Sequence, residues 1–447
     1  MISKKSSVKL IIQGLSVNIL TMDFFNHLKT YLNDEQIEAL KQSLEGESQH
    51  ALLLNEEKMS QETLLNLYPS LKRHPIIPNA FLYDKNELEL GKSVYHELGC
   101  FYLQEPSAML PAFLLNPKEG EIVLDLCAAP GGKSMQASLL MKNTGLIVAN
   151  DLARTRAYAI SENAERMGRG NLLIVNNDFS SIYQHYLNTF DKIILDAPCS
   201  GSGMFRKQSE MKDDWSYAKV TKYAEIQKEL ILYAYKMLKE GGEMVYSTCS
   251  FSYEEDEEVI EYLLNNSDAT IKEIEVNPLY FVNPAKPLGI HLLPSLFPGE
   301  GHYVCLIKKL GVLKETTNKP SKNKLTFAIP TNGYQIMQKY GDFLYLADKE
   351  FNYKYLNIVR NGVKVGQVDK GDVRYDYHYA HFVKEFSNTL GITQEELKKY
   401  YLGESINRSV TKGYVLLRYE GINVDIAKSD GRIVKNRLPK GLRKKLS

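Results

Sequence analysis

No stretch of this sequence approaches the roughly 18 consecutive apolar residues that a membrane-spanning helix needs, which excludes a helical membrane protein. Cysteine is scarce: five residues, at positions 100, 127, 199, 249 and 305, odd in number, far apart and without a Cys-x-x-Cys pair. That spacing speaks against a disulfide framework and against a zinc site, and suits the reducing cytoplasm; no metal is expected. A dinucleotide-binding G-x-G-x-x-G is missing. Gly132-Lys133-Ser134 would close a Walker loop, but the leading glycine position is Cys127. Repeats and low-complexity tracts are absent, and a net charge of +1 gives the chain no overall field.

What is present fits a globular chain of two to four domains, with 44% hydrophobic and 24% charged residues among 447. Lys4, Lys5 and the apolar residues up to Leu20 faintly resemble a secretion signal. Gln13, Gly14 and Asn18 interrupt it, so residues 1–21 read instead as a disordered extension. Periodicity predicts helices over Met22–Leu32 and, capped by Asn33 or Asp34, to Leu44. A strand at His50–Leu54, a helix from Ser60 to Tyr68 and an extended Ala80–Tyr83 follow, making a small α+β domain over 22–92 joined onward by Phe101–Met109. From Glu121 the rhythm becomes strand, turn, helix. Short apolar runs at Ile122–Leu126, Leu146–Ala149, Leu172–Val175, Lys192–Leu195 and Glu243–Tyr246 are expected to form a parallel sheet covered on both faces, with Ala269–Val276 and His302–Ile307 as an antiparallel edge. This α/β domain is placed at 93–310. Residues 311–330 read as a linker, and two further units follow at 331–390 and 391–447, with a helical stretch over Phe382–Tyr401. Between Thr411 and Ser447 ten Lys/Arg face three Asp/Glu, a local excess suited to an anionic partner. The aromatic group Tyr375, Tyr377 and Tyr379, with His378 and His381, suits core packing better than base stacking.

Chemistry gathers where sheet strands should end, the place open α/β folds keep their ligands. Cys127-Ala128-Ala129-Pro130-Gly131-Gly132-Lys133 closes the first strand and opens a helix; small residues there let backbone approach a ligand, and the helix amino terminus favours its negative group. Asp151, Asp178 and Asp196 follow the next three apolar runs. Each alone suits a helix cap, but in phase they favour an adenosyl ligand, with Asp151 on the ribose diol and Asp178 near the adenine amino group. Two thiols stand in similar frames, Asp196-Ala-Pro-Cys199-Ser-Gly201 and Ser247-Thr-Cys249-Ser250, and a cysteine in such a loop is a candidate nucleophile. Ser252 and Glu255 are spaced as a capping box, and the acidic run Glu254–Glu258 suits charge at a helix start.

These three motifs, in this order, closely resemble the Sun/Nop-type RNA cytosine-5 methyltransferases. The C-terminal Lys435-Asn-Arg-Leu-Pro-Lys-Gly-Leu-Arg443 resembles the ribosomal RNA-recruiting tail of the bacterial RsmF type, so the resemblance spans nearly everything from Met22 to Lys445. One departure is Tyr253, where many members carry proline. The resemblance implies a class I Rossmann-like methyltransferase sheet with a C-terminal, strand-rich PUA-like RNA-binding region. It implies that residues 127–133, Asp151, Asp178 and Asp196 bind S-adenosyl-L-methionine, that Cys249 is the nucleophile and Cys199 the residue of product release, and that Asp196 also touches the base. The partner expected is 16S ribosomal RNA or the 30S subunit, not DNA or a membrane, and the chain is expected to act as a monomer. Transfer RNA as the target, or a non-catalytic ribosome-assembly role, remain the alternatives at this level.

Overall fold

The computed structural model describes residues 23–208, 210–313, 329–334, 336–369 and 372–446; the expected extension at 1–21 and most of the linker at 311–330 lie outside them. The described residues open with two short helices, Phe24–Leu28 and Asp34–Leu44. The first is shorter than its apolar spacing suggests, because a turn intervenes before Leu32. Asn33 and Gln36 close the second with a reciprocal capping box.

Strands β1 (His50–Leu54), β2 (Lys72–Arg73), β3 (Ala80–Tyr83) and β4 (Phe101–Gln104) form an antiparallel sheet in the order β2-β3-β1-β4. The boundary expected at Lys92 therefore falls inside this unit. Phe101–Gln104, read as a connector, pairs with β1 along its whole length, since Phe101 and Leu103 fill the same core as Leu52 and Leu54.

The central sheet is built from β5 (Ile122–Asp125), β6 (Leu146–Asn150), β7 (Leu172–Val175), β8 (Phe190–Asp196), β9 (Leu238–Thr248), β10 (Ala269–Ile271), β11 (Ile290–Leu292) and β12 (His302–Lys309). Neighbours run β10-β12-β9-β8-β5-β6-β7, with β11 also paired to β12. Strands β5 to β9 are parallel and β12 is antiparallel to β9, as the apolar runs implied. Every residue of β5, β6 and β7 is buried, the mark of a sheet covered on both faces. The order reverses at β5, so the carboxyl ends of β5, β6 and β8 flank a topological switch point.

Beyond residue 328 come β13 (Ile336–Tyr340), β14 (Phe343–Ala347), β15 (Ile358–Asn361), β16 (Val363–Asp369), β17 (Asp372–Tyr375), β18 (Thr389–Gly391), β19 (Gly413–Tyr419), β20 (Ile422–Ser429) and β21 (Val434–Lys435). They make sheets β13-β14-β16-β17 and β18-β19-β20-β21, while β15 adds antiparallel to β7 and becomes the ninth strand of the central sheet. The expected helix over Phe382–Tyr401 is two helices, Tyr377–Phe382 and Gln394–Tyr401, with β18 between them, so the boundary drawn at 391 falls at the end of β18. Thr393 caps the second with Glu396. Tyr377, Tyr379, His378 and His381 are buried. The C-terminal unit shares one apolar core with the N-terminal sheet, Leu52, Phe81 and Phe101 packing with Tyr400, Leu417 and Val424. Tyr95 donates to Glu420 across this junction at 2.8 Å, and Lys444 of the basic tail pairs with Glu97.

Candidate active site

The end of β5 leads through Cys127 into a turn that Gly131 closes at φ +107°, a left-handed conformation that favours glycine. The helix Gly132–Leu140 begins at once, and its first-turn N–H groups have no intrahelical acceptor. Lys133, on that turn, is buried and donates to Asp196 at the end of β8 at 2.7 Å. Asp196 also accepts from Ser247 at 2.7 Å and has the His302 ring 3.7 Å away. Burial opposes its charge, but the Lys133 ammonium and His302 outweigh it and hold the carboxyl far below the usual range. Asp125, fully buried beneath the same turn, behaves in the opposite way. Burial pushes it up to about 7, only partly offset by the Ser134 hydroxyl at 2.6 Å and by Lys133.

Strands β8 and β9 are parallel neighbours, with Asp196 opposite Ser247. The loops that follow them bring the two thiols together, Cys199 Sγ lying 3.0 Å from Cys249 Sγ. The hydrogen bond with Cys249, reinforced by burial, raises Cys199 well above the ordinary thiol range, so it keeps its proton at neutral pH. In this geometry Cys199 can donate toward the Cys249 sulfur. Cys127, by contrast, is raised by burial in front of nearby carboxylates, the state of a packing thiol.

Spacing alone could not show what holds this pair. Glu255, completely buried, accepts from the Ser200 N–H at 2.7 Å, the Ser200 hydroxyl at 2.5 Å, the Ser250 hydroxyl at 2.6 Å and Gln227 at 3.2 Å. It thus ties the residue after Cys199 to the residue after Cys249. The capping box expected of Ser252 and Glu255 does not form: the helix starts at Glu257, and Glu255 serves the two loops instead. The rest of the acidic run is likewise used for bracing. Glu254 meets His27 at 2.9 Å, Asp256 accepts from Thr248 at 2.6 Å and Glu257 meets His291 at 2.8 Å. Tyr253, the departure from the family pattern, donates to Glu261 at 2.8 Å. Gly203 donates to the Cys249 carbonyl at 2.7 Å. The N-terminal helices back the same loop, Tyr31 donating to the Phe251 carbonyl at 2.6 Å while Phe24 and Leu28 pack with Phe205 and Phe251.

Asp151 and Asp178 stand at the ends of β6 and β7 as expected, in different settings. Asp151 is 3% exposed, accepts from the Ala153 N–H at 2.9 Å and lies 3.4 Å from Arg156. Beside it Leu152 is 73% exposed. Asp178 caps the short helix Phe179–Ile182 through Ser180, and the capping and ligand-binding uses of an acid at this position need not exclude each other.

Residues 20–106, 112–308 and 387–444 match family models described as the N-terminal domain of 16S rRNA methyltransferase RsmF, 16S rRNA methyltransferase RsmB/F, and the methyltransferase RsmF PUA domain. A ribosomal RNA small subunit methyltransferase F of Vibrio campbellii is 30% identical over 396 residues, covering 80% of this chain and 82% of its own. Its namesake in Psychromonas ingrahamii is 31% identical over 390 residues, covering 79% and 81%. Among solved structures, a methyltransferase homolog protein from Pyrococcus horikoshii superposes with a TM-score of 0.55 at 29% identity, over 64% of this chain and 94% of that one. NSun6 from the same organism shares the fold at a TM-score of 0.59 and 20% identity, over 66% and 99%. Fold and sequence together define the class, an S-adenosylmethionine-dependent RNA methyltransferase on a Rossmann-like sheet. Within that class the chain belongs to the RsmF family of ribosomal RNA methyltransferases. No helix of the described residues is long and apolar enough to cross a membrane.

Proposed function

We propose that the protein methylates C5 of a cytosine in 16S ribosomal RNA, in the cytoplasm and as a monomer, through a covalent bond from Cys249 to C6 of the base. The relatives' printed name, ribosomal RNA small subunit methyltransferase, supports the substrate. The observation that carries the chemistry is the pair of sulfurs 3.0 Å apart on adjacent strand ends beside Asp196.

Cytosine C5 is a poor nucleophile. Addition of the Cys249 thiolate at C6 moves the ring's electron pair to C5, which can then take a methyl group. S-adenosylmethionine supplies that methyl on a sulfonium and leaves as the neutral thioether. The site's residues fit this cofactor. The unfilled amides of the Gly132 helix suit its carboxylate, buried Asp151 has lone pairs left for a ribose diol, and exposed Leu152 offers an apolar surface to adenine. Residues 127–133, Asp151, Asp178 and Asp196 form the cofactor side. Asp196, held charged by Lys133, also accepts hydrogen bonds from the base as it is attacked. Loss of the C5 proton to solvent water then lets the C5–C6 double bond re-form and expel Cys249 as thiolate, and Cys199 assists this release by donating toward the departing sulfur. A base must leave its stack to reach such a pocket, and the N-terminal and PUA units would hold the surrounding RNA by phosphate and shape.

The two thiols give the test. With Cys199→Ala, methylation stalls after bond formation and a gel-stable protein–RNA adduct accumulates; with Cys249→Ala, neither adduct nor 5-methylcytosine appears. An adduct in Cys249→Ala and none in Cys199→Ala would reverse the roles. Bisulfite mapping of ribosomal RNA from a deletion strain checks the substrate, and an unchanged 16S pattern would refute it.

A further inference from the structure

The central sheet does not end at the methyltransferase domain. β15 lies along β7, and residues 351–357 ahead of it run past the loop after β7 and on to the turn Tyr183–Tyr186. This strap is well anchored. Asn176 donates its N–H to the Asn357 carbonyl at 3.0 Å, and the Tyr186 hydroxyl donates to the Asn352 carbonyl at 3.0 Å. The Tyr355 ring stacks on His185 at 3.6 Å with 11° between planes. Arg360 donates to Ser161 at 2.6 Å and pairs with Glu165 on the helix that follows Asp151.

From the strap a continuous relay of carboxamides runs inward. Asn357 donates its N–H to the Asn177 side-chain oxygen at 2.9 Å, and the Asn177 side-chain nitrogen donates to the Tyr355 carbonyl at 3.1 Å. The Asn177 N–H donates to the side-chain oxygen of Asn150 at 2.9 Å, and the Asn150 side-chain nitrogen donates to the Leu126 carbonyl at 3.0 Å. The Asn150 carbonyl then accepts from the Ala128 N–H at 2.7 Å. Alongside, Asn176 donates to the carbonyls of Asp151 and Leu152, both at 2.8 Å. Asn150 and Asn177 are buried at 4% and 7% exposure. Each of them spends its backbone or side-chain bonds on loop backbone, so the loops after β5, β6 and β7 are set against one another and against the strap.

We infer that Asn150 and Asn177 are positioning residues of the cofactor site and that the C-terminal strap, through them, sets the affinity for S-adenosylmethionine. The inference rests on the proposed assignment of residues 127–133, Asp151 and Asp178 to the cofactor. The strap touches none of the reacting groups. It acts by fixing the spacing of three loops whose backbone must meet one ligand at once, and a small misplacement there is costly.

Cofactor affinity by titration calorimetry, RNA affinity by fluorescence anisotropy, steady-state kinetics and urea unfolding, all on the full chain, test this. Asn177→Ala, which removes both bonds to the strap and keeps the N–H to Asn150, is expected to weaken S-adenosylmethionine by about tenfold, the loss of one to two net hydrogen bonds. The KM for cofactor rises accordingly, while kcat at saturating cofactor and RNA affinity stay within about twofold. Tyr355→Ala, made on the strap itself, shifts cofactor affinity in the same direction. Asn357→Ala loses only a 3.3 Å exposed side-chain contact and serves as the near-neutral control. Should Asn177→Ala not fold, Asn177→Asp keeps the acceptor for Asn357 and loses the donor to Tyr355. A fall in stability or kcat with unchanged cofactor affinity overturns the inference. Asp151→Ala separates the two readings: if it too leaves cofactor affinity unchanged, the site assignment has failed; if it weakens binding and Asn177→Ala and Tyr355→Ala do not, the strap's role has failed.

Discussion

Replacing Glu255 with alanine should disable the thiol pair without touching a thiol. Its carboxylate takes three hydrogen bonds of 2.5–2.7 Å from Ser200 and Ser250 and a longer one from Gln227. A bond to a charged acceptor contributes roughly 1.5–3 kcal/mol net, and a stranded buried N–H costs about 1–3 kcal/mol. Two effects reduce the total. Burial already raises the Glu255 pKa, so its charge is carried at a cost, and the Ser200 and Ser250 hydroxyls lie 3.3 Å apart and can bond each other once it is gone. A net loss of about 3–4 kcal/mol remains. Because the lost bonds join two loops rather than two core strands, much of it is expected as local loosening. A displacement of about 1 Å between groups that must act together costs on the order of 100-fold in rate. Glu255→Ala should therefore unfold at lower urea, yet remain folded in buffer, with kcat/KM reduced by about 100-fold and cofactor affinity retained. Glu255→Gln, which keeps shape and one acceptor, should fall between. A folded Glu255→Ala enzyme within twofold of wild type in kcat/KM would show that the two loops hold the sulfurs in place without this carboxylate.

Two further outcomes follow from the same region. Asp125 has a folded pKa raised to about 7 against about 3.9 unfolded, so folding takes up a proton and its contribution is most favourable at low pH, declining as pH rises toward 7. Asp125→Asn abolishes that slope: the variant's stability relative to wild type should rise between pH 4.5 and pH 8 by a few kcal/mol, and a pH-independent difference in urea unfolding would refute the assignment. Gly203→Ala would place a Cβ 2.7 Å from the Gly301 carbonyl oxygen and 2.9 Å from that of Cys249, both backbone atoms. The loop must shift, lowering stability by roughly 1–3 kcal/mol and cutting adduct formation in the trapping assay; a wild-type adduct yield would show that the Cys249 loop tolerates the displacement.

The apolar rhythm of 122–246 revealed the parallel sheet because strands buried on both faces must be apolar throughout, and β5 to β9 lie where those runs stand. The three strand-end motifs were equally visible, since small residues and a thiol at a strand end have few other uses. Boundaries were less legible. Phe101–Gln104 and Ile358–Asn361 are too short and too weakly patterned to reveal which sheet they join, and both cross from one expected unit into another. Glu255 looked like a helix cap because the Ser-x-x-Glu spacing is what a cap requires. It braces the thiol loops because the fold places the Ser200 N–H 2.7 Å from its carboxylate.

By itself, then, the sequence determined the class of sheet, the motifs at its edge and the kinship with ribosomal RNA methyltransferases, because those follow from local pattern and residue type. Only the tertiary structure decided that the N-terminal sheet and the C-terminal unit share one core, that two sulfurs fifty residues apart lie 3.0 Å from each other, and that a strap from the C-terminal region reaches the loop after β7. The physical reason is that these contacts depend on chain reversals and long-range packing, which leave no period and no spacing in the residues that make them.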